Sequence, residues 1–339
     1  MRSVLLIQAI YYFLLIASVE YASAASSATL GTLMGSPSSE AFAISADGLT
    51  VVGESVRPFR WDAANGMQEL GDLPGGGSSG KALGVSSDGS MIVDRSFSLS
   101  GLEAFRWTAD GGMHGLSDLP GGSFDSQALG VSADGSIVVG GGRSDSGFEA
   151  FIWNANGGIR GLGYLPGGTS SSLSSAISLD GSTIVGESFS TSGDQAFVWT
   201  SGGGMLGLGD LPGGNSVSVA NAVSADGSTV AGLGISSSGL EAFRWDATNG
   251  MLELGDLPGG VVFSQALGVS ADGTTIVGQS ASELGDVAMI WDEEHGMQSL
   301  AVLLSGLGVD LEGWRLFKAM GVSADGRTIV GLAISPSGR

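Results

Sequence analysis

Apolar runs of four or five residues recur along this chain, each ended by glycine or a polar turn. Ala242-Phe243-Arg244-Trp245 is followed by Asn249-Gly250 and then by Met251-Leu252-Glu253-Leu254. After Gly255-Asp256-Leu257-Pro258-Gly259-Gly260 come Ala266-Leu267-Gly268-Val269-Ser270, the turn Ala271-Asp272-Gly273, and Thr275-Ile276-Val277-Gly278. Runs this short, rich in β-formers and punctuated by Asn-Gly, Asp-Gly and Pro-Gly, predict strands joined by tight turns. Alternation puts Phe and Trp of the Phe-Arg-Trp run on one strand face and Arg on the other.

The unit repeats. Trp61, Trp107, Trp153, Trp199, Trp245 and Trp291 stand 46 residues apart, and Pro74, Pro120, Pro166, Pro212 and Pro258 keep the same step. Asp-Gly turns fall at Asp47, Asp88, Asp134, Asp180, Asp226, Asp272 and Asp325, each with Ser two positions earlier. Four strands in such a unit match a propeller blade, whereas a parallel β-helix needs shorter coils. The expected fold is therefore all-β: a β-propeller of about seven blades, each of four short antiparallel strands. The Ser-x-Asp-Gly turn joins neighbouring strands of a blade, and the longer Pro-Gly-Gly linker crosses to the next. On that division blades start near Ala41, Ala82, Ala128, Ser174, Ala220, Ala266 and Ala319.

The seventh copy has only its first two strands, which end at Val330-Gly331. The run Thr29-Leu33 looks like a strand without partners, so it is expected to close the ring on this incomplete blade. The repeating tryptophans are most simply packing between blades, with sugar stacking as the sharper alternative.

Composition adds an address. Arg2, an apolar run from Val4 to Val19 broken only by Gln8 and Ser18, and the small residues Ala22-Ser23-Ala24 form a secretory signal pattern. Residues 1–24 are thus expected to be cleaved, leaving 25–339 as one repeat domain without a membrane-spanning segment. With 13 basic against 34 acidic side chains the net charge is −21. That charge opposes nucleic acid and anionic membranes. The chain has no cysteine, which removes thiol catalysis, thiolate metal sites and disulfides together.

Chemistry should break the repeat rather than follow it. His114 and His295 lie far apart and form no metal-spacing motif. Each Ser-x-Asp-Gly turn offers calcium one carboxylate where six to eight oxygens are needed, so Asp is expected to serve its own turn. No cofactor or metal is expected, with calcium as the one cation to keep in view. Arg60, Arg106 and Arg244 need partners. The acids Asp72, Asp118, Asp210 and Asp256, and the glutamates Glu103, Glu149 and Glu241, are the candidates for a structural salt-bridge ladder.

Three features depart from the template. Asp94-Arg95 replace Gly-Glu or Gly-Gln, and Met289-Ile290 replace Phe-Arg. The last copy is seven residues longer and carries the off-register Trp314. Its residues Asp310, Glu312, Trp314 and Arg315 are the candidate binding patch, and a plug sealing the last blade is the alternative.

Glu-Ala-Phe-Arg-Trp, Leu-Gly-Asp-Leu-Pro-Gly-Gly and Val-Ser-Ala-Asp-Gly-x-x-Ile-Val-Gly together resemble the HAF family of bacterial extracellular repeats. Glu149 and Gln195 hold the position where that family has His. Gly313-Trp314-x-Leu316-x-x-Ala319 also looks like the family's last copy. The resemblance implies export and a repeat fold, and it carries over no functional residues. The resulting expectation is a secreted or cell-envelope, monomeric, non-enzymatic interaction or scaffold module. Its partner would be a protein or glycan at the cell surface. The alternative is a secreted hydrolase or lyase acting on polysaccharide, with non-repeating acids such as Asp94, Asp310 or Glu312.

Overall fold

The computed structural model describes residues 17–18, 25, 30–36, 38–77, 80–168 and 171–336. Blade 1 is built from Glu40–Ile44, Thr50–Glu54, Pro58–Asp62 and Gly66–Glu69, paired antiparallel in that order. Blade 2 has Gly84–Val85, Met91–Phe97, Leu102–Thr108 and Gly112–Gly115. Blade 3 has Gly121–Val131, Ile137–Ser144, Gly147–Asn154 and Gly158–Gly161. Blades 4, 5 and 6 repeat the pattern from Ser172, Ser218 and Gly259. Blade 7 has Arg315–Val322 and Thr328–Ile334.

Each blade buries one face against the next, and seven apolar clusters fill the seven gaps. The gap between blades 2 and 3 is typical. Val93 and Ala104 meet Ala128, Val138 and Phe151 across it, sealed below the crossover by Leu116 and Leu119. The cluster holding Ala41, Val51 and Phe59 also contains Val330, so blade 7 packs on blade 1 and the ring is closed. Phe59, Phe105, Phe151, Phe197 and Phe243 have no exposed surface, and Met289 takes the sixth such place. The tryptophans lie two residues further along the same strand and on the same face, toward the turn end. Trp61 and Trp199 are buried, whereas the other four are half-buried at the rim. In five gaps a phenylalanine is fully enclosed, in a sixth Met289 is, and the indole two residues on lies nearer the turn end of the strand and is less enclosed.

The antiparallel order fixes two ends. Turns between the first and second strands share one end with turns between the third and outer strands. The second-to-third hairpins and the Pro-Gly-Gly crossovers form the other. At this loop end a buried serine joins successive blades. Ser126, Ser172, Ser218 and Ser264 each accept a bond from the backbone N–H of Ala104, Ala150, Ala196 and Ala242 in the preceding blade, at 2.9–3.1 Å. Each also donates to a crossover carbonyl, from 2.7 Å at Ser172 to 3.1 Å at Ser126.

The closing strand differs from the expected one. Ala17–Ser18 pairs antiparallel with Thr328 and Ile329 on the free edge of blade 7. Residues 30–33 form no strand, and Thr29 lies outside the described residues. Leu30 instead packs as a side chain beside Val330 and Phe59. A flat apolar gap accepts one such side chain without a ladder, which is why the apolar pattern at 29–33 overstated the pairing. The closing pair lies inside the leader-like segment, so a chain cleaved after Ala24 would keep the Leu30 contact and lose the strand.

Candidate functional site

The seven repeated turns consume their own polar groups. Ser Oγ donates to Asp Oδ1 in all seven, from Ser45–Asp47 at 2.5 Å to Ser86–Asp88 and Ser224–Asp226 at 2.8 Å. The same Asp oxygen accepts the backbone N–H two residues on, as from Ser136 to Asp134 at 2.9 Å. The serine oxygen accepts another, as from Ile137 to Ser132 at 3.0 Å. The turn glycines hold φ between 71° and 75°, a region open to glycine at little cost. Around the axis the turns also bond to each other. The N–H groups of Ser87, Ala133, Ala225, Ala271 and Ala324 donate to Ala133, Leu179, Ala271, Ala324 and Ala46. The last of these links blade 7 to blade 1.

Backbone and hydroxyl donors pull the Asp134 and Asp226 carboxyls down to about 2, the Ser136 and Ser228 N–H groups contributing most. A carboxyl lowered in the fold stabilises fully above its ordinary value near 4 and loses that contribution as pH falls through 2. Ser132→Ala should cost about 1–3 kcal/mol, since the Ile137 N–H loses its acceptor. A urea midpoint at neutral pH measures it, and an unchanged midpoint would show that the Ser132 bonds contribute nothing.

The acids and arginines are not paired as a ladder. Arg60 and Arg244 each bond to the acid two residues on along their own strand, Asp62 and Asp246, at 3.0 Å. Blade 2 has Thr108 at that position. Arg106 accordingly has no side-chain hydrogen bond or ion pair among the described residues and lies over the Trp153 ring, 5.6 Å from its centre. Glu103 and Glu149 accept backbone N–H groups from Ser117 and Gly163. Asp118 likewise accepts from Leu119 and Asp125. Loop amides lie closer to these carboxylates than any guanidinium, because alternation points the arginines to the opposite face. Both histidines serve turns: His114 Nε2 lies 2.9 Å from the Gly111 carbonyl and His295 Nδ1 2.9 Å from Asp292.

The insertion of the last copy is a plug. Leu300–Gly306 forms a helix whose Leu300 and Leu304, one turn apart, enter the gap between blades 6 and 7 with Ile290, Val309, Leu316 and Ile329. Trp314 is half-buried against the same cluster. Asp310 accepts the Glu312 backbone N–H at 2.8 Å, and Glu312 itself is exposed with φ 49°. Arg315 reaches the Leu284 carbonyl of the blade 6 hairpin at 3.0 Å. Asp310, Trp314 and Arg315 therefore make contacts that hold the insertion in place, and the Glu312 side chain is exposed beside them.

Asp94 stands where the other blades have Gly53, Gly140, Gly186, Gly232, Gly278 and Gly331. In those six a Cβ would overlap the carbonyl oxygen of the first strand, such as Gln127 O beside Gly140. In blade 2 the side chain is present and the first strand is reduced to Gly84–Val85. Gly80 also replaces the serine that joins blades elsewhere. Asp94 has no exposed surface and neither carboxyl oxygen has a hydrogen-bond partner. Burial pushes its carboxyl up to about 8, against the pull of Arg95 and Lys81. Lys81 is held at 2.9 Å by Glu54 of blade 1. Burial also raises Glu40, helped by the charge of Glu54.

Among the described residues no group of three or more His, Asp or Glu side chains is placed to hold a metal ion, and no helix is long and apolar enough to cross a membrane. Two crevices open between blades at the turn end, at equivalent places in the ring. One, between blades 2 and 3, is about 460 Å³ and lined by Met91, Arg106, Ser136, Trp153, Asn154 and Asn156. The other, between blades 5 and 6, is about 350 Å³ and lined by Arg244, Asp272, Trp291, Asp292, Glu293 and His295. Sequence reading placed the tryptophans but not these spaces, which are bounded by residues of two different blades.

The architecture defines the chain as a seven-bladed β-propeller, and solved structures agree. It is similar to TolB from Acinetobacter baumannii, with 14% identity, a TM-score of 0.51 and 89% of this chain covered. The match spans 66% of that longer protein. It is similar also to an oligogalacturonate lyase in complex with manganese, at 12% identity and a TM-score of 0.52, covering 88% of this chain and 89% of the lyase. Likeness at these identities is likeness of fold. No family model matches the chain, and neither does the sequence of any curated protein.

Proposed function

We propose that this chain is an exported, non-catalytic β-propeller that works as a monomeric interaction module outside the cell or in its envelope, and that its loop end docks a protein. The distribution of exposed apolar side chains carries the reading. Of thirteen large ones among the described residues, nine lie at the loop end: Met34, Val56, Phe97, Leu99, Phe189, Leu240, Val261, Val262 and Leu284. The exposed prolines Pro74, Pro120, Pro166, Pro212 and Pro258 stand between them. Exposed apolar side chains gathered at one end of the ring are what a protein contact surface supplies. Export rests on the leader-like N-terminus and on the resemblance to HAF repeats.

Photo-crosslinking side chains at Leu99 and Leu284, with Leu206 and Leu252 on the outer strands as controls, test this in the producing cell. Adducts with one discrete protein should form from the loop end and be lost in a Leu99→Glu, Leu284→Glu variant. Equal yield from the outer strands would defeat the proposal, and so would turnover of a polysaccharide by the purified protein.

A further inference from the structure

We propose a second site at the opposite end: the crevice between blades 2 and 3 binds an acidic sugar, with its carboxylate on Arg106. The argument rests on comparing equivalent positions of the ring, and it stands apart from the loop-end reading.

Repetition supplies internal controls. In blades 1 and 5 the arginine of the third strand is neutralised by the acid two residues on. The crevice next to Arg244 is further lined by Asp272, Asp292, Glu293 and Glu294, so it is acidic throughout. Between blades 2 and 3 only the turn aspartate of that set is kept, as Asp134, and it does not line the crevice. Thr108 replaces the pairing acid, Asn154 replaces Asp292, and Ala155 and Asn156 replace the two glutamates. No carboxylate lines that space, and its one charge is the Arg106 guanidinium. The nearest acid of the turn, Asp134, is occupied by Ser132 and by the Ser136 N–H. In a chain of net charge −21 this is a cationic pocket kept free of the surrounding acids.

The rest of the lining selects the ligand. A guanidinium offers parallel N–H groups to a carboxylate, a geometry that an ammonium lacks. Stacking on Trp153 holds it in place, so little side-chain freedom is lost on binding. Asn154 Oδ1 accepts the backbone N–H groups of Asn156 and Gly157 at 3.1 and 2.8 Å. That orients the amide, whose Nδ2 hydrogens have no acceptor among the described residues. Amide donors, the Ser136 hydroxyl and the apolar borders of Trp153, Met91 and Ile137 suit a pyranose, which presents hydroxyls on its rim and C–H groups on its faces. A volume of about 460 Å³ has room for one such ring and part of a second.

The test is titration of the full chain with sodium glucuronate, glucose and sodium acetate, followed by calorimetry and by ligand-observed NMR. Glucuronate should bind saturably, while glucose, which lacks the carboxylate, and acetate, which lacks the ring, should each bind at least about tenfold more weakly. Arg106→Gln should weaken glucuronate by a similar factor. Thr108→Asp is the sharper variant, because it restores the ion pair seen at Arg60 and Arg244 and keeps the turn acceptor for the Gly111 N–H. It should abolish binding with an unchanged melting temperature, and Arg244→Gln should leave binding intact. The proposal falls if glucuronate shows no saturable binding, if glucose or acetate binds as tightly, or if Thr108→Asp binds like the parent.

Discussion

Asp94→Gly should stabilise the protein, by an amount on the order of 4 kcal/mol at pH 8, and should remove most of its loss of stability between pH 4 and 8. The folded protein holds the Asp94 proton up to about 8 because the carboxyl is buried without a partner, whereas the unfolded chain releases it near 4. The advantage of the protonated form is therefore complete below pH 4 and gone above 8, so wild-type stability falls with rising pH across that window. Glycine removes the titration and lets the first strand of blade 2 approach Asp94's strand as it does in the other six blades. Its added backbone freedom offsets about 1 kcal/mol of the gain. Urea unfolding at half-unit steps from pH 4.5 to 8.5 measures both effects. Asp94→Asn separates them: it should flatten the profile and leave the strand broken. Parallel profiles for wild type and both variants would mean that Asp94 is paired in solution.

Phe151→Ala should cost about 3–5 kcal/mol, the range for deleting a buried aromatic ring and leaving a cavity. Phe151 has no exposed surface and fills the gap between blades 2 and 3 together with Val93, Ala104, Leu116 and Val138. Trp153→Ala, two residues further along the strand on the same face, should cost clearly less despite the larger side chain. That indole is half-buried, and one of its contacts is the half-exposed Arg106. Equilibrium unfolding of the two variants ranks them. A larger loss from the tryptophan would place the weight of the interface at its rim.

Those two residues show how far the sequence could be read. The period of 46 gave the blades, and Ser-x-Asp-Gly gave their first turns, because both depend on bonds closed within a few residues. Phe and Trp share a face by alternation alone, but their ranking does not follow from alternation. It depends on what the neighbouring blade sets against each position, and that is a property of the ring. The serines joining blades also recur every 46 residues, at Ser126, Ser172, Ser218 and Ser264. Their signal was present but silent, since a serine before a strand looks the same whether it meets water or the next blade. The expected partners of the arginines failed for the same reason: the nearest acid in space belongs to the same strand, and Arg106 has none.

By itself the sequence determined the repeat, the strand and turn chemistry, the acidic charge and the leader-like start, since each is set by neighbouring residues or by simple sums along the chain. Only the tertiary structure decided what the exceptions mean. Asp94 became a buried carboxyl because the ring encloses a position that glycine holds in the other blades, the helix Leu300–Gly306 and Trp314 became a plug because they pack into the gap between blades 6 and 7, and Arg106 faces a crevice without a partner acid because Thr108 cannot neutralise it. Each of those outcomes depends on which surfaces the closed ring brings face to face, across distances of chain that no local pattern encodes.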